Sequence, residues 1–259
     1  MKGFTNSIVV QSLGQAGFRL GLSNEVVYID PYLSHYVEEV EGPEARRLVP
    51  VALDPARVTD ASWVFLTHEH IDHCDPKTLG PLAKASPQCR LIGPSPVRLA
   101  LADLDIESNR LLPALTDWQQ LSVDLRVRAV PAAHPTLEVD AGGQWSRVGY
   151  LFDYRGRKIY HSGDTSVCPE LIEELRREGG IDVAFISVNE RNYYRDTAGI
   201  IGNMSVREAF KLAEDAGVRH FVPMHWDMFA PNQVFIEEIH LLYEKIRPNF
   251  ELVIRPSEI

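Results

Sequence analysis

His68, His70, Asp72 and His73 fall within six residues, in the run Thr67-His68-Glu69-His70-Ile71-Asp72-His73. The run directly follows the apolar stretch Trp63-Val64-Phe65-Leu66. Two imidazoles at i and i+2 emerge on the same side of an extended chain. The Asp and His at i+4 and i+5 point elsewhere once the chain turns into a helix. That arrangement suits two neighbouring cations, one held by each pair. The alternative is a solvated polar turn with a chance cluster. Only 9 His occur in the 259 residues, and three of them are here, which argues against chance.

Three further residues offer what such a site still lacks. His134 ends the run Leu125-Arg126-Val127-Arg128-Ala129-Val130-Pro131-Ala132-Ala133, Asp164 follows Lys158-Ile159-Tyr160, and His225 follows His220-Phe221-Val222-Pro223-Met224. Each lies past the C-terminal end of a short apolar stretch, where open α/β sheets place their ligands. A lone His at a strand end is more often structural; together with the six-residue cluster these residues point to a metal.

The order His-x-His-x-Asp-His, then His, Asp and His, resembles the metallo-β-lactamase superfamily of binuclear metallohydrolases. The resemblance covers essentially the whole chain and fills all seven ligand positions. It implies that His68, His70 and His134 hold one ion, that Asp72, His73 and His225 hold the second, and that Asp164 bridges them. It also implies an α/β fold of the αββα sandwich type: two facing mixed sheets, helices outside, metals at one edge. A zincin is excluded, because H-E-x-x-H needs a second His where Asp72 stands.

The bulk properties narrow the rest. A chain of 259 residues suits a single domain spanning 1–259. A net charge of −10 argues against nucleic acid, whose phosphates need a basic field. It does not forbid a small anionic substrate, since a local cationic cluster can outweigh a distant surface. No run approaches the ~20 apolar residues of a membrane span. Met1–Asn6 has no signal-peptide character, and three scattered Cys fit a reducing cytoplasm. Cys74 adjoins His73 but reads as a small packing residue.

Turn residues separate the first apolar runs, 8–10, 18–20 and 26–29, as in an antiparallel meander. Helices are expected over 75–85, 97–104, 169–177, 205–216 and 234–246, with further strands at 90–92, 123–130, 148–153, 158–160, 181–188 and 251–254. Ser205-Val206-Arg207-Glu208 has the form of a capping box. Asp30, at the end of Val27-Tyr28-Ile29, could accept the free N–H of a ligating imidazole; a strand-ending Asp-Pro turn is the equal alternative.

Three long polar stretches, 33–59, 135–147 and 189–203, are expected to border the metals. In the third, Arg191, Asn192, Arg195 and Asn203 are suited to grasp an anionic polyol or phosphate. A solvated loop, with its Arg paired to Glu190 and Asp196, is the competing reading.

Five imidazoles and two carboxylates suit zinc or manganese, with iron also accommodated. Two such cations lower the pKa of bound water toward roughly 7. Hydrolysis is therefore expected, with Asp72 as the catalytic carboxylate that orients the nucleophile and takes its proton. Within the superfamily the chain looks most like the group containing the L-ascorbate-6-phosphate lactonases. The residues that carry this are 67–76, Tyr160 to Thr165, and the stretch from Gly202-Asn203-Met204 through Pro223-Met224-His225-Trp226-Asp227. The resemblance implies opening of a sugar-acid lactone, with or without a phosphate; a cytoplasmic location and a capacity to form homo-oligomers are separate expectations. A small-molecule phosphodiesterase is the main alternative, and a non-catalytic metal-binding or sensing protein a more distant one.

Overall fold

The computed structural model describes residues 7–258; Met1–Asn6, on which the expectation of no signal segment rests, lie outside the described residues. In the first half, β1 (Val9–Gly14), β2 (Gly17–Gly21) and β3 (Val26–Ile29) form the expected antiparallel meander. After α1 (Tyr36–Glu41), β4 (Trp63–Phe65) joins β3 in parallel. α2 (Pro76–Ala85) leads to β5 (Arg90–Gly93), and α3 (Ser95–Ala100) to β6 (Leu111–Pro113), so the sheet runs β1-β2-β3-β4-β5-β6. The start of α2 is encoded locally. Asp75 accepts the Lys77 N–H at 2.9 Å, and Pro76 occupies the first turn, where no donor is needed.

The second half repeats the plan with its own strands. β7 (Gln119–Gln120), β8 (Leu125–Pro131), β9 (Val148–Tyr154) and β10 (Arg157–His161) are antiparallel neighbours. α4 (Pro169–Glu178) then returns the chain to β11 (Val183–Ser187), parallel to β10. α5 (Tyr193–Thr197) and α6 (Val206–Asp215) precede β12 (His220–Met224), and α7 (Ile236–Ile246) precedes β13 (Glu251–Leu252). The sheet order is β13-β12-β11-β10-β9-β8-β7. The capping box of α6 is formed, with Ser205 and Glu208 satisfying each other's backbone N–H.

The two sheets face each other across a core that includes Phe18, Phe65, Tyr150, Phe152, Phe185 and Val222. Outside, α2 and α3 bury Leu79, Leu82 and Val97 against the first sheet. The helices α4, α6 and α7 bury Leu171, Leu175, Phe210 and Ile239 against the second. Each fully buried side chain of this size contributes about 1.5–3 kcal/mol of transfer free energy. This is the αββα sandwich. Among the described residues, no helix is long and apolar enough to cross a membrane.

The layering brings one set of strand ends together. β3 and β4 run parallel, so Asp30 and Thr67 emerge side by side. The ends of β8, β10 and β12 reach the same edge, and the Val148 N–H donates to the Thr67 carbonyl at 3.0 Å, tying the sheets together there. The close approach requires a glycine. Gly163 sits at φ +56°, and a Cβ there would lie 2.8 Å from the Thr67 side chain and 2.9 Å from the Val148 carbonyl. Gly163→Ala is therefore expected to lower stability by about 2–4 kcal/mol, combining left-handed strain and overpacking. Thermal or denaturant unfolding checks this, and an unchanged midpoint would contradict it.

Candidate metal centre

After β4 the chain stays irregular through His68 and His70, then makes one turn in which the His73 and Cys74 N–H groups donate to the His70 carbonyl at 2.9 and 2.7 Å. This turn separates the two pairs of donors. Three overlapping clusters result, in each of which the donor atoms lie within 4.8 Å of one another: His68, His70 and His134; His68, His73 and Asp164; Asp72, His73 and His225. Asp164 stands between the first and last. Its carboxylate lies 3.7 Å from His134 Nε2, 3.5 Å from His73 Nε2 and 3.2 Å from His225 Nε2. All seven residues singled out in the sequence thus meet in one place.

The hydrogen bonding around the rings leaves defined nitrogens free. Asp30, fully buried, accepts from the Thr67 N–H at 2.8 Å and from the Thr67 hydroxyl at 2.6 Å, and lies 2.8 Å from His73 Nδ1. Thr67 Oγ1 in turn lies 3.0 Å from His68 Nδ1. His68 Nε2 and His73 Nε2 face the centre, buried and without a hydrogen-bond partner, as is Asp164 Oδ1. Buried polar atoms are rarely left unpaired. Here the unpaired atoms converge, with the His68 and His73 rings 4.2 Å apart, a grouping of donor atoms that a cation can satisfy together. The donor set fits divalent metal.

The electrostatics agree with that fit. Burial, and then the neighbouring imidazoles, push His68 well below the usual imidazole range; burial likewise takes His134 down to about 4. Both rings are neutral, as a metal ligand must be. At His73 and His225 burial also acts downward, but the Asp72 and Asp164 carboxylates outweigh it and raise both, His225 to about 9. Burial opposes ionisation of Asp164, yet the His225 and His73 charges hold its carboxyl well below the ordinary range. A cation entering here displaces protons.

Some contributors have no clear signature in sequence. Gln15, in the β1–β2 turn at φ +55°, is buried and places Nε2 2.6 Å from Asp72 Oδ2 and 2.9 Å from His225 Nε2. Its carbonyl accepts the His225 N–H at 3.0 Å. Asp30 (φ +40°) and His225 (φ +60°) are left-handed as well, so three of the five such non-glycine positions among the described residues adjoin this centre. Strained backbone concentrates where surrounding structure over-determines it. Arg147 donates to the His134 carbonyl at 2.6 Å and to Glu69 at 2.8 Å, pinning two of the donor segments. Cys74 belongs to none of the donor groups; burial pushes its thiol up to about 12, and it packs beneath the site.

A cavity of about 700 Å³ opens onto His70, Asp72, His134, Asp164 and His225. Its walls come from α1 and the segment after it, from Ala198–Ile201, and from Phe229–Asn232. Residues 33–59 and 189–203 do border the centre, but 135–147 contributes no wall residue, its place being taken by the segment after β12. Nor are the four residues expected to grasp substrate on the wall. Arg195 is buried and donates to the Glu190 carbonyl at 2.5 Å and the Gln233 carbonyl at 2.8 Å. Asn203 is buried and donates to Asn189 Oδ1. Asn192 caps α5, and Arg191 lies 3.4 Å from Asp196 at the surface. The physical reason is that α5 turns this polar run away and presents the apolar Ala198–Ile201 tip to the cavity. Arg195→Ala is accordingly expected to cost about 1–3 kcal/mol of stability, through two carbonyls left without a donor. A charge-dependent change in substrate preference without loss of stability would contradict this placement.

Comparison with known proteins decides the family. The family model described as the β-lactamase superfamily domain matches residues 25–226, which include every donor above. The chain belongs to the metallo-β-lactamase superfamily of metal-dependent hydrolases. It is 24% identical over 259 residues to a UPF0173 metal-dependent hydrolase of Staphylothermus marinus, covering 96% of this chain and 97% of that one. It is 25% identical over 223 residues to a protein of Salmonella newport described as a probable L-ascorbate-6-phosphate lactonase UlaG. That match covers 81% of this chain and 61% of the lactonase, so the chain spans less than two thirds of that relative's length. Among solved structures, a metallo hydrolase of the archaeon Ignicoccus hospitalis shares the fold with a TM-score of 0.71 at 15% identity, covering 98% of this chain and 97% of that one.

Proposed function

We propose that the protein opens a lactone, or a closely related small-molecule ester, with two divalent cations at the cavity floor. His68, His70 and His134 would hold one, Asp72, His73 and His225 the other, with Asp164 shared between them. Zinc or manganese suits these donors best, and iron is compatible. The observation that carries this reading is the convergence of the partnerless His68 and His73 nitrogens with Asp164, in clusters shared with the His70, Asp72, His134 and His225 that line one cavity. The likeness to the Salmonella lactonases supports an acyl rather than a phosphoryl centre.

Cations bound there supply Lewis acidity, making water a nucleophile near neutral pH and polarising the acyl oxygen. The remaining work falls to the chain. Asp72, fixed by the Gln15 amide at 2.6 Å, is placed to orient the attacking water and accept its proton. A bond forms from the water oxygen to the acyl carbon, and the ring C–O bond breaks. The departing ring oxygen recovers the proton from Asp72, leaving a hydroxy acid. Phe229 and Ile71 give the wall beside these residues an apolar lining.

Phosphodiester cleavage fits less well, because no Lys or Arg is among the described residues lining the cavity. The test is a hydrolysis screen of lactones, sugar-phosphate lactones and phosphodiesters, with protein loaded separately with zinc and manganese. Lactone opening that a chelator abolishes is expected. Efficient phosphodiester cleavage without lactone turnover would overturn the reading.

A further inference from the structure

The cavity wall carries a charge pattern that the family alone does not specify. Besides the donor residues it is lined largely by apolar side chains, Val37, Ile71, Ile200, Ile201 and Phe229 among them, with Asn232 as its uncharged polar residue. Its charged wall residues are Glu41, Glu44 and Glu69. Glu69 is neutralised by Arg147 at 2.8 Å, whereas Glu41 and Glu44 have no such partner among the described residues. Both lie within 36–45, the stretch that also supplies Val37, so apolar surface and uncompensated negative charge share one wall. Both side chains are also open to solvent, and partial burial of Glu41, with the charge of Asp72 after it, raises its carboxyl.

An anion entering such a cavity meets no guanidinium or ammonium group that could bind it bidentately or pair with it. It meets two like charges instead. Cations on the floor attract the reacting acyl oxygen, but a remote phosphate or carboxylate must lie along the wall. We infer that the substrate's group beyond the scissile bond is apolar and carries no negative charge, with Glu41 and Glu44 as the residues that select against anions. This rests on the lactone and ester reading above and narrows it: a phosphorylated sugar lactone is a poor fit, and a lactone with a hydrocarbon substituent a good one.

The test uses the full-length metal-loaded protein and three γ-lactones that differ only at the end of one side chain: methyl, carboxylate or phosphate. The methyl compound is expected to exceed both anionic ones in kcat/KM by on the order of tenfold, chiefly through KM, from like charges at partly solvated separation. In the double variant Glu41→Gln, Glu44→Gln the ratio is expected to fall to within about threefold. The matching lactams, which are not opened, should show the same ranking in calorimetric binding to metal-loaded and metal-free protein. Equal or better use of an anionic lactone by the natural protein would overturn the inference. So would a ratio that the double variant leaves unchanged while its circular dichroism remains native. If no lactone is opened at all, the proposed function fails, and the lactam ranking still decides the wall's selectivity.

Discussion

His68→Ala is expected to abolish most activity and to leave the fold standing. His68 belongs to two of the three donor clusters, as does His73, so its loss weakens both of the clusters it joins. Metal affinity should fall beyond the 10–100-fold typical when only an outer partner of a ligand is lost. Activity should fall by at least about 10²–10³, the scale for removing one preorganised group that stabilises developing charge. Stability of the metal-free protein should change little or rise. The deleted ring sits crowded, its centroid 4.5 Å from that of His70 and 4.2 Å from that of His73, with Nε2 unpaired. Elemental analysis, unfolding and kinetics on one preparation check all three. Full metal content with wild-type turnover would show that His68 is a structural residue.

Asp30→Asn is expected to act more evenly on both properties. The carboxylate is completely buried and serves three groups at once: the Thr67 N–H, the Thr67 hydroxyl and His73 Nδ1. An amide can accept on one side only, and its NH2 opposes a donor on the other. The Nδ1–H tautomer that frees His73 Nε2 for a cation then loses its support. Metal affinity should drop about 10–100-fold. The protein should also lose on the order of 1.5–3 kcal/mol, the scale of one hydrogen bond to a charged group. Asp30→Ala, which strands every donor, should cost more, at least about 3 kcal/mol. Unchanged metal affinity in Asp30→Asn would reduce the residue to a turn former.

What could be read from sequence depended on how many residues each feature needs. The donor set was legible because metal chemistry restricts residue type, and because His134, Asp164 and His225 each follow a strand that the apolar pattern reveals. The start of α2 and the capping box of α6 were legible because a cap and its partner lie within three residues. Helices α1 and α5 were not, since each is five or six largely polar or charged residues inside a long polar stretch, whereas the equally short α3 carries Val97 and Leu99. Strands β6 and β7 are two or three residues long at or near a sheet edge and leave equally little trace. Gln15 escaped notice because its role arises from a turn that tertiary structure swings against Asp72 and His225. The Arg191–Asn203 expectation failed for the converse reason. Composition identified groups able to bind an anion, but burial of Arg195 against two carbonyls commits it to holding the loop. The wall that faces the centre is made by residues whose types are unremarkable along the chain.

The central claim is that the seven donors hold two cations at the floor of the cavity. Anomalous diffraction from crystals of the manganese-loaded protein tests it most directly. Two peaks about 3.5–4 Å apart are expected, one among His68, His70 and His134 and the other among Asp72, His73 and His225, with Asp164 reaching both. Peaks elsewhere on the protein, or none at this edge of the sheets after full loading, would contradict it.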